Sequence, residues 1–178
     1  MTEDIKEVLL TEEQILNRVK ELGKAISEDY KDKDLIVVGI LKGSVIFASE
    51  LIKNITIPCE IDFMAVSSYG RSTETSGIVR ILKDLDYGIE GKDIIIVEDI
   101  IDSGVTLDYL LKYLKARKAN SIEIITLLTK PSRRMVDIDV KYCGFEVPDE
   151  FLVGYGLDYS ERYRNLPYVG ILKEEVYK

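Results

Sequence analysis

Asp93-Ile-Ile-Ile-Val-Glu-Asp-Ile-Ile-Asp-Ser-Gly-Val-Thr-Leu-Asp-Tyr109 is the stretch whose reading decides the fold. Residues 94–97 are a short, wholly apolar, β-branched run, the pattern of a strand buried on both faces of a parallel sheet. Two adjacent carboxylates, Glu98 and Asp99, follow where that strand is predicted to end. Two isoleucines, a third carboxylate at Asp102 and the small residues Ser103-Gly104-Val105-Thr106 come next, after which Leu107, Leu110, Leu111 and Leu114 recur at helical spacing.

A strand, a small-residue loop and a helix N-terminus together form a place for a phosphate. The first helical amides lack intrahelical partners, and the positive end of the macrodipole stands behind them. Gly104 permits close backbone approach, and Ser103 and Thr106 offer hydroxyl donors. The loop carries no lysine and is not the G-x-x-x-x-G-K-[ST] loop of nucleoside triphosphatases. Carboxylates beside an anion repel it unless they have other work, such as accepting sugar hydroxyls, holding a divalent cation or moving a proton. Taken alone, the stretch also reads as a strand-to-helix turn with a solvated acidic rim.

Composition bounds the alternatives. The chain has 178 residues, 46% of them hydrophobic, which suits one domain spanning 1–178 with a sizeable core. A net charge of −8 argues against nucleic-acid binding, which needs a basic surface. The acidic start Met1-Thr-Glu-Asp4 is unlike a secretory n-region, and no apolar run approaches the roughly 20 residues of a membrane span. Cys59 and Cys143, each in an apolar context, read as small hydrophobes, so a reducing cytoplasm is expected. The chain contains no histidine, which removes Ser-His-Asp and Cys-His chemistry and histidine metal sites. Acid–base work then falls to carboxylates, lysines or tyrosines, and the case for Asp102 sharpens.

Along the chain, Thr11-Glu-Glu-Gln14 reads as a capping box opening a helix to about residue 30, with Ile15, Val19, Leu22 and Ile26 as its buried stripe. Residues 35–40 read as a strand, Leu41-Lys42-Gly43-Ser44 as a tight turn and 45–52 as a helix. Residues 58–67 and 78–82 read as strands around a polar stretch from Ser68 to Gly77, too poor in apolar residues to pack on itself. A buried strand at 122–128 ends in Thr129-Lys130-Pro131, which puts a lysine where open α/β sheets bind ligands. The last residues, from about 144 to 178, are aromatic and turn-rich, and are predicted to form a small hood over the sheet. No repeat or linker interrupts the chain.

Val97-Glu-Asp-Ile-Ile-Asp-Ser-Gly-Val-Thr106 resembles the signature that binds 5-phosphoribosyl-1-diphosphate (PRPP) in type I phosphoribosyltransferases, most closely their hypoxanthine-guanine branch. The resemblance extends over nearly all of the chain and implies an α/β fold, a mainly parallel twisted sheet flanked by helices. It implies magnesium-dependent transfer of the phosphoribosyl group to N9 of hypoxanthine or guanine. In the roles it implies, Asp102 is the general base, and Asp102, Ser103, Gly104, Val105, Thr106 and Leu107 cradle the 5′-phosphate. Glu98 and Asp99 sit at the ribose and the magnesium ion. Lys42, Gly43 and Arg164 contact pyrophosphate, with a cis Leu41–Lys42 peptide. Lys130 donates to the 6-oxo group, Phe151 stacks on the purine and the Leu152 backbone reads its edge. Asp158 belongs to the purine side and to the metal. Ser68 and Tyr69 belong to a lid. Val105 departs from relatives that carry lysine there, which leaves phosphate binding more dependent on backbone amides. Dimers or tetramers are usual for the family. A xanthine- or guanine-preferring relative would keep this machinery. A regulator on the same fold would sense PRPP or nucleotides and bind nucleic acid, for which this acidic chain offers no basic face.

Overall fold

The computed structural model describes residues 1–68 and 79–178. In chain order the elements are β1 (Ile5–Leu10), α1 (Glu12–Asp29), β2 (Leu35–Leu41), α2 (Val45–Lys53), β3 (Glu60–Ser68) and β4 (Val79–Lys83). They continue with β5 (Asp93–Ile101), α3 (Val105–Lys115), β6 (Ser121–Thr129), β7 (Tyr142–Glu146), β8 (Leu152–Val153), β9 (Val169–Leu172) and α4 (Glu174–Tyr177). The lid expected around Tyr69 and the side chain of Ser68 lies outside the described residues.

A six-stranded sheet runs β4-β3-β2-β5-β6-β7, parallel throughout except where β4 turns back against β3. Alternation along the central strands splits the core into two layers. Val37, Ile95, Val97 and Ile125 pack with α1 and α2 on one face, while Ile36, Val38, Ile94, Ile96 and Ile124 pack with Leu107, Leu110 and Leu114 of α3 on the other. The helix α1 starts where the capping box requires. Thr11 Oγ1 accepts from the Gln14 amide at 3.3 Å, and the Gln14 side chain accepts from the Thr11 amide at 2.8 Å. The buried stripe is Ile15, Val19, Leu22 and Ile26.

Two features differ from the sequence expectations. The central strand does not stop before Glu98 and Asp99. Pairing with β6 continues through Glu98–Thr126, Ile100–Leu128 and Ile101–Thr129, so the carboxylates ride inside the strand. The β-branched pair Ile100-Ile101 prolongs the strand past two residues that by themselves disfavour it. The hood is also composed differently from residues 144–178 alone. Tyr142–Glu146 pairs in parallel with β6 and closes the main sheet, and the hood sheet β1-β9-β8 takes its outer strand from the N-terminus. Asp4 ties the two chain ends together: its carbonyl accepts from the Lys173 amide at 2.9 Å and its carboxylate from Tyr163 at 3.0 Å.

No helix among the described residues is long and apolar enough to cross a membrane. Cys59 and Cys143 are free and half-buried, and burial pushes both thiols up.

Candidate active site

The C-terminal ends of β5 and β6 open into two adjoining cavities. The smaller, of about 140 Å³, is bordered by Glu98, Ile100 to Gly104, Thr106 and Leu107. It is the strand-loop-helix cradle expected from the sequence. Gly104 is the N-cap of α3 with φ +82°, a left-handed conformation that a side chain disfavours, and an added Cβ would press to 2.8 Å from Ile138. No side chain caps this helix among the described residues; Ser103 Oγ makes only a long 3.4 Å contact with the Val105 amide. The first-turn amides are left to an anion from outside.

The larger cleft, of about 600 Å³, is bordered by Asp99, Asp102, Lys130, Arg133, Phe151 and Asp158, among others. Asp102 lies on both cavities. Lys130, only 7% exposed, extends its ammonium to the Glu150 carbonyl at 2.8 Å, while its backbone amide donates to the Ile101 carbonyl. The lysine at the end of β6 is thus fixed beside the acid at the end of β5. Phe151 and Leu152 form the hood side of the cleft, and Phe151 meets Tyr159 edge-on at 5.5 Å and stacks on Tyr177 at 4.7 Å.

The Leu41–Lys42 peptide is cis, as the resemblance implied. Gly43 lies so close to Asp99 that a Cβ on it would strike the carboxylate, and hood residue Gly156 lies against the Gly43 carbonyl. Arg164 anchors this junction by donating to the Gly156 carbonyl at 2.7 Å and pairing with Asp158 at 2.9 Å. Lys42, Gly43 and Arg164 therefore gather beside Asp99 and Asp158.

Burial pushes the Asp99 carboxyl up to about 6, against the Ile100 amide and the charge of Arg164, while Asp158 adds to the rise. Glu98 keeps partial solvent contact at the cradle, yet enclosure by protein, and then the charge of Asp99, raises its carboxyl well above the usual range. The expected metal set of Glu98, Asp99 and Asp158 is not gathered as a cage. Glu98 borders the cradle, Asp99 and Asp158 border the cleft, and the described residues hold no group of three possible ligands. One or two carboxylates with water and substrate oxygens is what magnesium accepts, and the Asp99–Asp158 wall fits that donor set.

Four contacts had no warning in the sequence. Arg133 Nε lies 2.7 Å from the Asp102 carboxylate and its Nη1 3.3 Å from Asp149. Glu161 pairs with Lys42 at 2.9 Å. Tyr177 backs Phe151. Each joins residues remote in the chain.

A family model described as a phosphoribosyl transferase domain matches residues 7–160. The chain is 57% identical over 178 residues to the hypoxanthine-guanine phosphoribosyltransferase of Bacillus subtilis, covering 100% of this chain and 99% of the relative. It is 59% identical over 177 residues to that of Staphylococcus epidermidis, covering 99% of each. A crystal structure of a hypoxanthine phosphoribosyltransferase from Staphylococcus aureus superposes with a TM-score of 0.97 at 58% identity, covering 100% of this chain and 97% of that one. One from Bacillus anthracis, with HEPES in its active site, gives 0.91 at 48% identity, covering 95% and 99%. With a family model over most of its length and relatives this similar from end to end, the chain belongs to the phosphoribosyltransferase family, among its hypoxanthine-guanine phosphoribosyltransferases.

Proposed function

We propose that the protein transfers the 5-phosphoribosyl group of PRPP to N9 of hypoxanthine or guanine, giving IMP or GMP and pyrophosphate in purine salvage. The observation that carries this reading is the position of Asp102, shared by an uncapped helix N-terminus and by the cleft that holds Lys130 and Phe151. A phosphate on the α3 amides and a base between Lys130 and Phe151 would meet at that carboxylate.

In this reading residues 102–107 hold the 5′-phosphate, largely by backbone amides, with the Ser103 and Thr106 hydroxyls. Glu98 and Asp99 flank the ribose. Lys42, the Gly43 amide and Arg164 hold the pyrophosphate, the guanidinium as a planar donor to its oxygens. Asp99 and Asp158 would hold magnesium, which supplies charge neutralisation for the leaving group. Lys130 donates to the 6-oxo oxygen. Adenine presents an amino group there, with no acceptor to offer, so the donor selects 6-oxopurines. Phe151 covers the purine face, the Leu152 backbone reads the base edge and Asp158 closes that side. Asp102 takes the N7 proton as N9 bonds to the ribosyl carbon. Until then Arg133 balances its charge. Bond breaking that runs ahead of bond making leaves cationic character on the ribose, so catalysis consists of positioning and charge stabilisation in a site that excludes water. Residues 1–178 act as a single domain, in a cytoplasmic homodimer or homotetramer, with the segment at Ser68 and Tyr69 as lid.

The test is pyrophosphate release from PRPP and magnesium with hypoxanthine, guanine, xanthine or adenine. Turnover with the first two and none with adenine is expected. PRPP binding without turnover on any base would replace the enzyme by a sensor of PRPP.

A further inference from the structure

Glu161 has no task in the scheme above, yet it touches both cations assigned to pyrophosphate. Its carboxylate lies 2.9 Å from Lys42 Nζ and 3.5 Å from Arg164 Nη2. Lys42 stands on the loop after β2 and Arg164 in the hood, so one acid bridges the two sides of the junction. The backbone holds it there. The Glu161 amide donates to Asp158 at 2.9 Å, Tyr159 and Arg162 pair across the turn, and Ser160 and Glu161 both take left-handed conformations, with φ of 50° and 63°. Such conformations at two successive non-glycine residues persist only when surrounding contacts impose them. Glu161 is 64% exposed, so it is free to swing away.

We propose that Glu161 is a positioning residue that stands in for pyrophosphate whenever none is bound. It holds Lys42 and Arg164 as an anion would, must be displaced when pyrophosphate or the diphosphate of PRPP arrives, and reoccupies the cations as product leaves. This rests on the reading of Lys42 and Arg164 as pyrophosphate contacts. Because the Lys42 pair is largely solvated and the contact with the half-buried Arg164 is a long 3.5 Å, displacement costs only a few-fold in affinity, enough to favour product release without preventing binding. A pyrophosphate brings more negative charge than one carboxylate, so the incoming ligand wins.

The test is calorimetric titration of inorganic pyrophosphate with magnesium into the full-length protein and its Glu161→Gln, Lys42→Met and doubly substituted variants. Glu161→Gln is expected to tighten pyrophosphate about two- to tenfold. It should leave the KM for hypoxanthine unchanged, a split that a merely structural role would not produce. The gain should shrink in the Lys42→Met background, which by itself weakens pyrophosphate. If Lys42→Met weakens binding but Glu161→Gln leaves it unchanged or weaker, the pyrophosphate reading stands and the proposed role of Glu161 falls. If Lys42→Met has no effect, the reading of Lys42 falls and takes the proposal with it. Glu161→Ala gives the same readout should the glutamine variant fail to fold.

Discussion

Asp102 and Arg133 face each other 2.7 Å apart, both about half exposed at the mouth of the cleft. The Asp102 oxygen that meets Arg133 is shielded and makes no hydrogen bond, so the contact is a bare ion pair that an incoming purine has to open. In the proposed reaction that carboxylate is the proton acceptor. Asp102→Asn keeps the shape and removes the basicity, so kcat should fall about a hundredfold or more while the dissociation constant of PRPP changes little. Unchanged turnover in steady-state assays would remove Asp102 from the base role. Glu98 makes a different prediction, on stability. Its carboxyl is raised in the folded state, chiefly by burial, so folding favours the protonated form. That contribution is present below the ordinary carboxyl range and is lost as pH rises through the raised folded value. Glu98→Gln should therefore melt much like the parent near about pH 4 and above it near about pH 8, in the absence of ligand. A difference in Tm that stays flat with pH would contradict the assignment. Of these residues, Asp102 and Lys130 were legible because each follows a buried strand at a position where α/β sheets bind ligands. Arg133 and Glu161 were not, because the partners Asp102 and Lys42 are chosen by chain packing and no local spacing encodes them.

At the scale of elements, α3 is a buried helix whose first turn has been left open. Leu107, Leu110 and Leu114 fix it to the sheet, and Gly104 supplies the turn that aims its amides at the cradle. Gly104→Ala puts a methyl into a left-handed position and against Ile138, which should destabilise the fold by about 1–2 kcal/mol or more. The KM for PRPP should rise more than the KM for hypoxanthine. Chemical denaturation and the two Michaelis constants check this, and equal rises in both would indicate general loosening instead. The elements themselves were readable because their patterns are local signals: the unbroken apolar runs of β2 and β5, the capping box of α1, the leucine stripe of α3. The end of β5 was not, since paired carboxylates look like a strand terminus unless the pairing of Ile100 and Ile101 with β6 is known.

For the whole molecule, the proposed function puts the 5′-phosphate cradle, Lys42 and Lys130 at the ends of the central strands, while the hood brings Arg164 to the pyrophosphate and Phe151 and Leu152 to the base. The hood sheet was only half legible. Its aromatic C-terminal portion announced itself, but the run Ile5–Leu10 gives no sign of which strand it will join. Deleting residues 1–10 strips β9 of one neighbour and removes the Asp4 contacts to Lys173 and Tyr163. The shortened protein should retain PRPP binding and lose most of its affinity for hypoxanthine, measured by titrating each separately. Parallel loss of both would mean that hood and sheet form one cooperative unit.

The pairing of Ile5 with Leu172 also sets an order of construction. During synthesis β1 emerges first and has no partner until β9 leaves the ribosome, whereas β2, β3, β5 and β6 can assemble beforehand. Under the proposed function the phosphate cradle is therefore complete before the hood sheet closes, and a message cut short of Val169 is expected to yield a protein that binds PRPP without turning it over.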